Sequence, residues 1–133
     1  MFSKCIPVNS IEPELQAVGA KLGISPKVRN VIKHSDHWIL EMDKLDGCSL
    51  ADEYGDNPED IPNWIWEEIR FLLILLFENN IQYQDITPYN FMKVDEKIFV
   101  IDFGDAYYHD DSEVNWFLQE FFDGNNSWNP DYK

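Results

Sequence analysis

The stretch Ile81–Ala106, IQYQDITPYNFMKVDEKIFVIDFGDA, decides how the rest of the chain is read. Asp85 is followed five residues later by Asn90. Phe91-Met92-Lys93-Val94 reads as one strand, Asp95-Glu96 as a turn, and Lys97 to Ile101 as the return strand, because apolar and β-branched residues flank a polar pair. The return strand delivers Asp102 to Phe103-Gly104. Such a hairpin sets the start of its first strand beside the end of its second, so Asn90 and Asp102 can share one ion. Magnesium takes hard oxygen ligands and only one or two carboxylates from a protein. A carboxylate beside a hydroxyl can orient it and take its proton, and Asp85 fits that role. The plain alternative is that Asp85 and Asn90 are turn formers around Pro88.

Composition sets the outer bounds. The chain has 133 residues, a single domain of ordinary size, and 44% of it is hydrophobic, enough to fold around a core. Its net charge is −15, unevenly spread. Residues 1–44 hold six basic and five acidic side chains (+1), and residues 45–133 hold four and twenty (−16). That balance excludes a nucleic-acid backbone as partner and suits a basic protein substrate or partner, unless the acidity serves only solubility. Cys5 and Cys48 fit no zinc pattern and read as reduced thiols of an intracellular, cytoplasmic protein. No targeting segment is evident, and the longest apolar run, Phe71 to Phe77, is too short to span a bilayer. His34 and His37 lie on a turn without a nearby cysteine, which reads as solvent-facing rather than metal-binding.

Local patterns place the remaining elements. A strand is expected over Phe2–Val8, broken by Pro7. Ser10 and Pro13 mark a helix start, Leu15, Val18 and Leu22 recur at helical spacing, and Gly23 ends the helix. Lys27–Lys33 and Trp38–Met42 are strands joined by a turn at His34–His37. Asp43 to Leu50 is a connector with a possible short helix, and Asp52–Pro62 an acidic loop. Asn63 caps a helix over Trp64–Glu78, whose Leu72–Phe77 section is apolar on every side and so reads as buried all round. A last helix is expected over Glu113–Phe122, capped by Ser112 or Asp111, with Val114, Phe117, Leu118 and Phe121 as its stripe. Trp64, Trp66 and Trp116 read as core, and the tail with Trp128 and Tyr132 as folding back on the body.

Tyr83-Gln84-Asp85-Ile86-Thr87-Pro88-Tyr89-Asn90, followed by a hairpin and the literal triplet Asp102-Phe103-Gly104, resembles the catalytic loop and D-F-G of the protein-kinase-like superfamily. The chain looks most like the small, truncated kinase-like proteins encoded by large DNA viruses. The resemblance implies an α+β, truncated protein-kinase-like fold. A remnant small lobe of short antiparallel strands plus one helix, with the hinge, would occupy 1–45. A minimal helical large lobe with the catalytic-loop hairpin would occupy 46–133. It further implies ATP and Mg2+ as ligands, Asp85 as catalytic base, and Asn90 and Asp102 as metal ligands. Glu14 would be the small-lobe helix glutamate, the Asp43 carbonyl and Leu45 amide would hold adenine, and Met42 would guard the pocket behind them. Lys4 is the sole candidate for the phosphate-binding lysine, or else a solvated N-terminal charge.

The chain also departs from that family. It has no G-x-G-x-x-G, Tyr83-Gln84 replaces His-Arg, Thr87 replaces a lysine, and no A-P-E follows Asp102. Two functional readings follow. One is a phosphotransferase moving the ATP γ-phosphate to a hydroxyl acceptor, a protein Ser or Thr. The other is a pseudokinase or kinase mimic that binds and regulates another kinase. A hydrolase using Asp85 and Asp102 as a carboxylate pair is less economical, because it leaves Asn90 unused. Glu14 could be only a first-turn acid, and Asp105 and His109 could tune the site or face water.

Overall fold

β1 (Phe2–Ile6), β2 (Val28–Lys33) and β3 (Trp38–Met42) form an antiparallel sheet in the order β1-β3-β2. The computed structural model describes residues 1–110 and 115–132. Alternation along β1 turns Lys4 and Ile6 to one face, with Lys4 opposite Leu40 and Ile6 opposite Trp38. Ile6, Leu40 and Met42 pack there as a small core with Val28, Val31 and Trp38 around it. β1 stops at Ile6, not at Val8: Pro7 opens a turn closed by Ser10 N–H donating to the Pro7 carbonyl at 3.2 Å.

Helix α1 (Glu12–Lys21) follows that turn. Ser10 Oγ accepts from the Glu12 N–H at 3.1 Å, satisfying one of the unpaired donors at the helix start. Its buried residues are Glu12, Leu15, Gln16 and Gly19, a face at i, i+3, i+4 and i+7. Leu15 and Ile24 belong to the main core, so α1 is anchored to the rest of the chain and not only to the sheet.

β4 (Cys48–Ser49) runs into α2 (Leu50–Tyr54), whose first turn Ser49 caps by accepting from Asp52 N–H at 3.1 Å. The stretch expected to be loop from Asp52 is therefore helical as far as Tyr54. After a 3₁₀ turn at Pro58–Asp60 comes α3 (Asn63–Glu78). Asn63 is itself helical and makes no capping bond. Ile65, Trp66, Ile69, Leu72, Leu73 and Leu76 form the spine of the core. The helix is not buried all round: Phe71, Ile74 and Phe77 are 59%, 40% and 41% exposed. One stripe meets the core; on the other, Phe77 stacks on His109 and meets Phe122 of the last helix, yet stays partly open to solvent. Of the tryptophans expected inside, only Trp66 is buried; Trp64 and Trp116 reach solvent.

β5 (Ile81–Gln82) pairs with β8 (Tyr107–Tyr108), while β6 (Phe91–Val94) and β7 (Lys97–Val100) form the expected hairpin beside β4. Asp95 sits at φ 55 in its turn. The last described helix, α4 (Trp116–Phe122), is capped by Asn115 accepting from Leu118 N–H at 3.1 Å. The caps expected at Asp111 or Ser112, with Glu113 and Val114, lie outside the described residues. The tail does return to the body: Trp128 is buried and its ring centre lies 4.5 Å from that of Trp66.

Candidate active site

The hairpin register brings the two ends of the critical stretch together. Phe91 lies opposite Val100, and Ile101 N–H donates to the Asn90 carbonyl at 3.0 Å. Asn90 and Asp102 therefore flank one end of two paired strands. Asn90 Nδ2 donates to the Asp85 carbonyl and to Asp85 Oδ2, both at 2.9 Å. The amide nitrogen is thus committed to the loop, which leaves the amide oxygen as the group that can face a ligand.

Asp102 meets the small sheet. Its Oδ1 accepts from Gly104 N–H at 2.8 Å and from Lys4 Nζ at 3.0 Å. Lys4 Nζ also donates to Glu12 Oε2 at 2.5 Å. The neighbouring elements β1 and α1 and the distant segment after β7 meet at one ammonium. Burial alone would lower the Lys4 pKa; Glu12 and Asp102 outweigh it, so Lys4 stays charged. Glu12 is 3% exposed, and burial drives its carboxyl above the usual range against the pull of Lys4.

The partner of Lys4 is therefore Glu12, not Glu14. Glu14 is exposed and interacts with the Tyr108 hydroxyl. The reason lies in the register of α1. The helix buries Glu12, Leu15, Gln16 and Gly19 on one face, which turns Glu12 inward and leaves Glu14, named from the resemblance, on the exposed side. That spacing was the signal available in the sequence.

Asp85 is half-buried, and burial is the main reason its pKa lies above the ordinary 3.8. The Asn90 amide opposes that shift, while Asp105 adds to it through charge and a side-chain hydrogen bond, followed by Asp102. Asp105, set aside as a loop residue or a tuner of the site, stands against Asp85. Beneath the site, Tyr83 and Phe103 meet edge to face with ring centres 5.5 Å apart. Phe103 in turn packs near Gly19 and Ser25 of the α1 end, so the D-F-G phenylalanine ties the loop to the helix that carries Glu12.

Asp43 and Leu45 line a cavity of about 260 Å3 together with Phe2, Pro26, Met42 and Met92. Its wall is mostly apolar, and the Asp43 carboxylate is turned to Arg29 Nε at 2.5 Å. Met42 is buried, and its sulfur accepts from Gln16 Nε2 at 3.3 Å. Among the described residues, no three His, Cys, Asp or Glu side chains form a metal-holding group by themselves. No helix of the described residues is long and apolar enough to cross a membrane.

The order of the antiparallel strands, helix α1 and the hairpin are compatible with a kinase-like fold. The solved structure of the Cydia pomonella granulovirus kinase PK-1 is similar to this chain, with a TM-score of 0.66 and 20% identity over 80% of the chain. The match spans 42% of the PK-1 chain, and at this identity it carries the fold alone. No protein-family model matches the sequence, and no curated protein matches it significantly.

Proposed function

We propose that this chain is a minimal phosphotransferase of the viral kinase-like type, moving the γ-phosphate of ATP to a hydroxyl acceptor, a protein Ser or Thr, with magnesium. One observation carries the reading: Lys4, Glu12 and Asp102 meet at one point while Asn90 is locked on Asp85. In this reading adenine occupies the apolar cavity beside Asp43 and Leu45. Lys4 holds the phosphate tail, and Glu12 holds Lys4. Asp102 and the Asn90 amide oxygen would hold magnesium, which when bound would supply charge neutralisation at the phosphates. The Asp85 carboxylate accepts the acceptor's proton as the hydroxyl oxygen bonds to the γ-phosphorus. The bond from that phosphorus to the β-bridging oxygen breaks, and ADP leaves with the electron pair.

Thermal-shift titration with ATP, with and without magnesium, tests this directly. A magnesium-dependent rise is expected, lost in Asp102→Asn. Asp85→Ala should bind nucleotide normally and lower turnover by about 10²–10⁴, the usual worth of a positioned base. If Asp102→Asn binds Mg-ATP as well as the parent does, the reading is wrong.

A second reading, a kinase mimic acting on another kinase, draws on two features. The chain has no glycine-rich stretch to cover phosphates, and α3 presents Phe71, Ile74 and Phe77 to solvent. A kinase captured on that face, together with no response to nucleotide, favours this reading over the enzyme.

A further inference from the structure

A groove of about 410 Å3 runs between α3 and α4. Ile74 and Phe77 wall it from α3, and Leu118 and Phe122 from α4. The walls are held in place: the Phe77 ring stacks on His109 with centres 4.1 Å apart and meets Phe122 edge-on at 6.1 Å. Gln82 of β5 also lines the groove and is 4% exposed. No described residue hydrogen-bonds to its side-chain amide, which leaves a buried donor and a buried acceptor open to whatever fills the groove. The charge around it has one sign. Glu78 lines the α3 edge, and Gln119 at the α4 edge donates to Asp123 Oδ1 at 3.3 Å, which holds a second carboxylate there. No Lys or Arg among the described residues lines the groove, and Arg70, the basic residue of α3, is taken up by Asn126.

We infer that this groove docks an extended segment of a partner protein, one that seats a large apolar side chain between the helices, pairs its main chain with Gln82 and sets a Lys or Arg beside Glu78. Each part of that segment answers an observed group. The four apolar walls leave water only when an apolar side chain enters. An amide unpaired on both sides matches a backbone N–H and C=O, which an extended chain leaves free and a helix uses internally. The acids at both edges attract a basic neighbour and repel an acidic one. A second copy of this chain fits poorly, since its residues 45–133 carry four basic against twenty acidic side chains. Docking there uses none of the groups placed at the phosphates, so it stands with or without the phosphotransferase reading.

Fluorescence anisotropy on the full chain tests this with short labelled peptides that carry Phe, Leu or Ala at the centre and Arg, Ser or Glu on both flanks. The Phe or Leu peptide with Arg flanks should bind most tightly. Gln82→Leu should weaken that binding about fivefold to tenfold, the worth of one or two hydrogen bonds, while the unfolding midpoint stays level or rises, because an apolar side chain suits a buried position. Glu78→Lys, at an exposed position, should weaken it about two- to fivefold and bring the Glu-flanked peptide closer to it, with folding unchanged. Arg-flanked peptides that bind equally well with Ala at the centre would show charge attraction alone and overturn the inference. So would the absence of binding by every peptide, or binding that neither variant alters. Sedimentation that finds a dimer dispersed by Ile74→Asp would give the groove to a second copy and overturn it too.

Discussion

Glu12→Gln separates what Glu12 does for folding from what it does for the site. The side chain is 3% exposed, while that of Lys4 is 28% exposed and keeps Asp102 at 3.0 Å when Glu12 loses its charge. Lys4 is therefore not stranded by the substitution. The Glu12 pKa in the folded chain lies above its ordinary 4.5, chiefly through burial. The sign follows: between 4.5 and that higher value the folded state holds a proton that the unfolded state has released. This group's contribution to stability therefore grows as pH falls through that window. A neutral amide of the same shape escapes that cost, so at neutral pH Glu12→Gln should leave the unfolding midpoint unchanged or raise it by up to about 4 °C, equivalent to about 1 kcal/mol for a chain of this size. The site should suffer instead. Without the Glu12 charge, Lys4 is held by Asp102 alone and is turned from the phosphates, and losing one charge-assisted bond to phosphate weakens Mg-ATP binding by about tenfold or more. Glu14→Gln, on the exposed face, should alter neither quantity. Differential scanning calorimetry and nucleotide titration on the three proteins decide it. A fall in midpoint greater than about 5 °C for Glu12→Gln, or a loss of binding in Glu14→Gln alone, would refute the reasoning.

Tyr83 is fully buried and its hydroxyl has no hydrogen-bond partner among the described residues, so Tyr83→Phe should stabilise the chain by about 1 kcal/mol in urea unfolding. Burial, then the nearby Asp102, holds its pKa well above 10.0 in the folded chain; stability should therefore fall as pH rises past 10, and this fall should shrink in Tyr83→Phe when unfolding is followed against pH. A Cβ at Gly47 would strike the Lys93 carbonyl oxygen and the Val94 side chain, so Gly47→Ala should cost about 1–3 kcal/mol by denaturant midpoint and disturb the cavity that Gly47 lines. Trp128→Ala should cost about 3 kcal/mol and speed hydrogen exchange at the Asn129 amide, because the tail loses its anchor on Trp66.

The parts of the site legible in the sequence are those that are local. Asp85, Asn90 and Asp102 lie within one loop and one hairpin, and period-two alternation fixes the register of such a unit. Lys4 could be named by elimination, but its geometry depends on β1 pairing with β3, a contact between residues far apart in sequence. The resemblance implies Glu14 as the helix glutamate, whereas the buried face of α1, 12-15-16-19, sets Glu12 against Lys4, a choice that only packing makes. α2 was hidden by its acidity: Asp52 and Glu53 read as loop, yet acids suit the first turn of a helix capped by Ser49. The exposed stripe of α3 could not be foreseen, since apolar content alone says that a surface wants covering and not that a cover exists. The role of Asp105 follows from the turn after Gly104, which no propensity specifies.

Charge gives the site a further, measurable character. Lys4 is surrounded by Glu12 and Asp102, and Asp85 and Asp105 stand nearby, in a chain of net charge −15. A bare nucleotide triphosphate meets repulsion from all of this, and one lysine does not offset it. Raising salt shortens the screening length to about 8 Å at physiological strength, which weakens repulsion from the acidic body more than the short contacts inside the site. Metal-free ATP should therefore bind weakly, and slightly better as salt rises, whereas a basic protein substrate should bind less well. Opposite salt slopes for the two ligands on one protein distinguish this arrangement from a cleft that merely holds phosphate on a basic surface, where both anionic ligands and salt compete for the same charges. Parallel slopes would mean that the acidic body is not what the substrate meets.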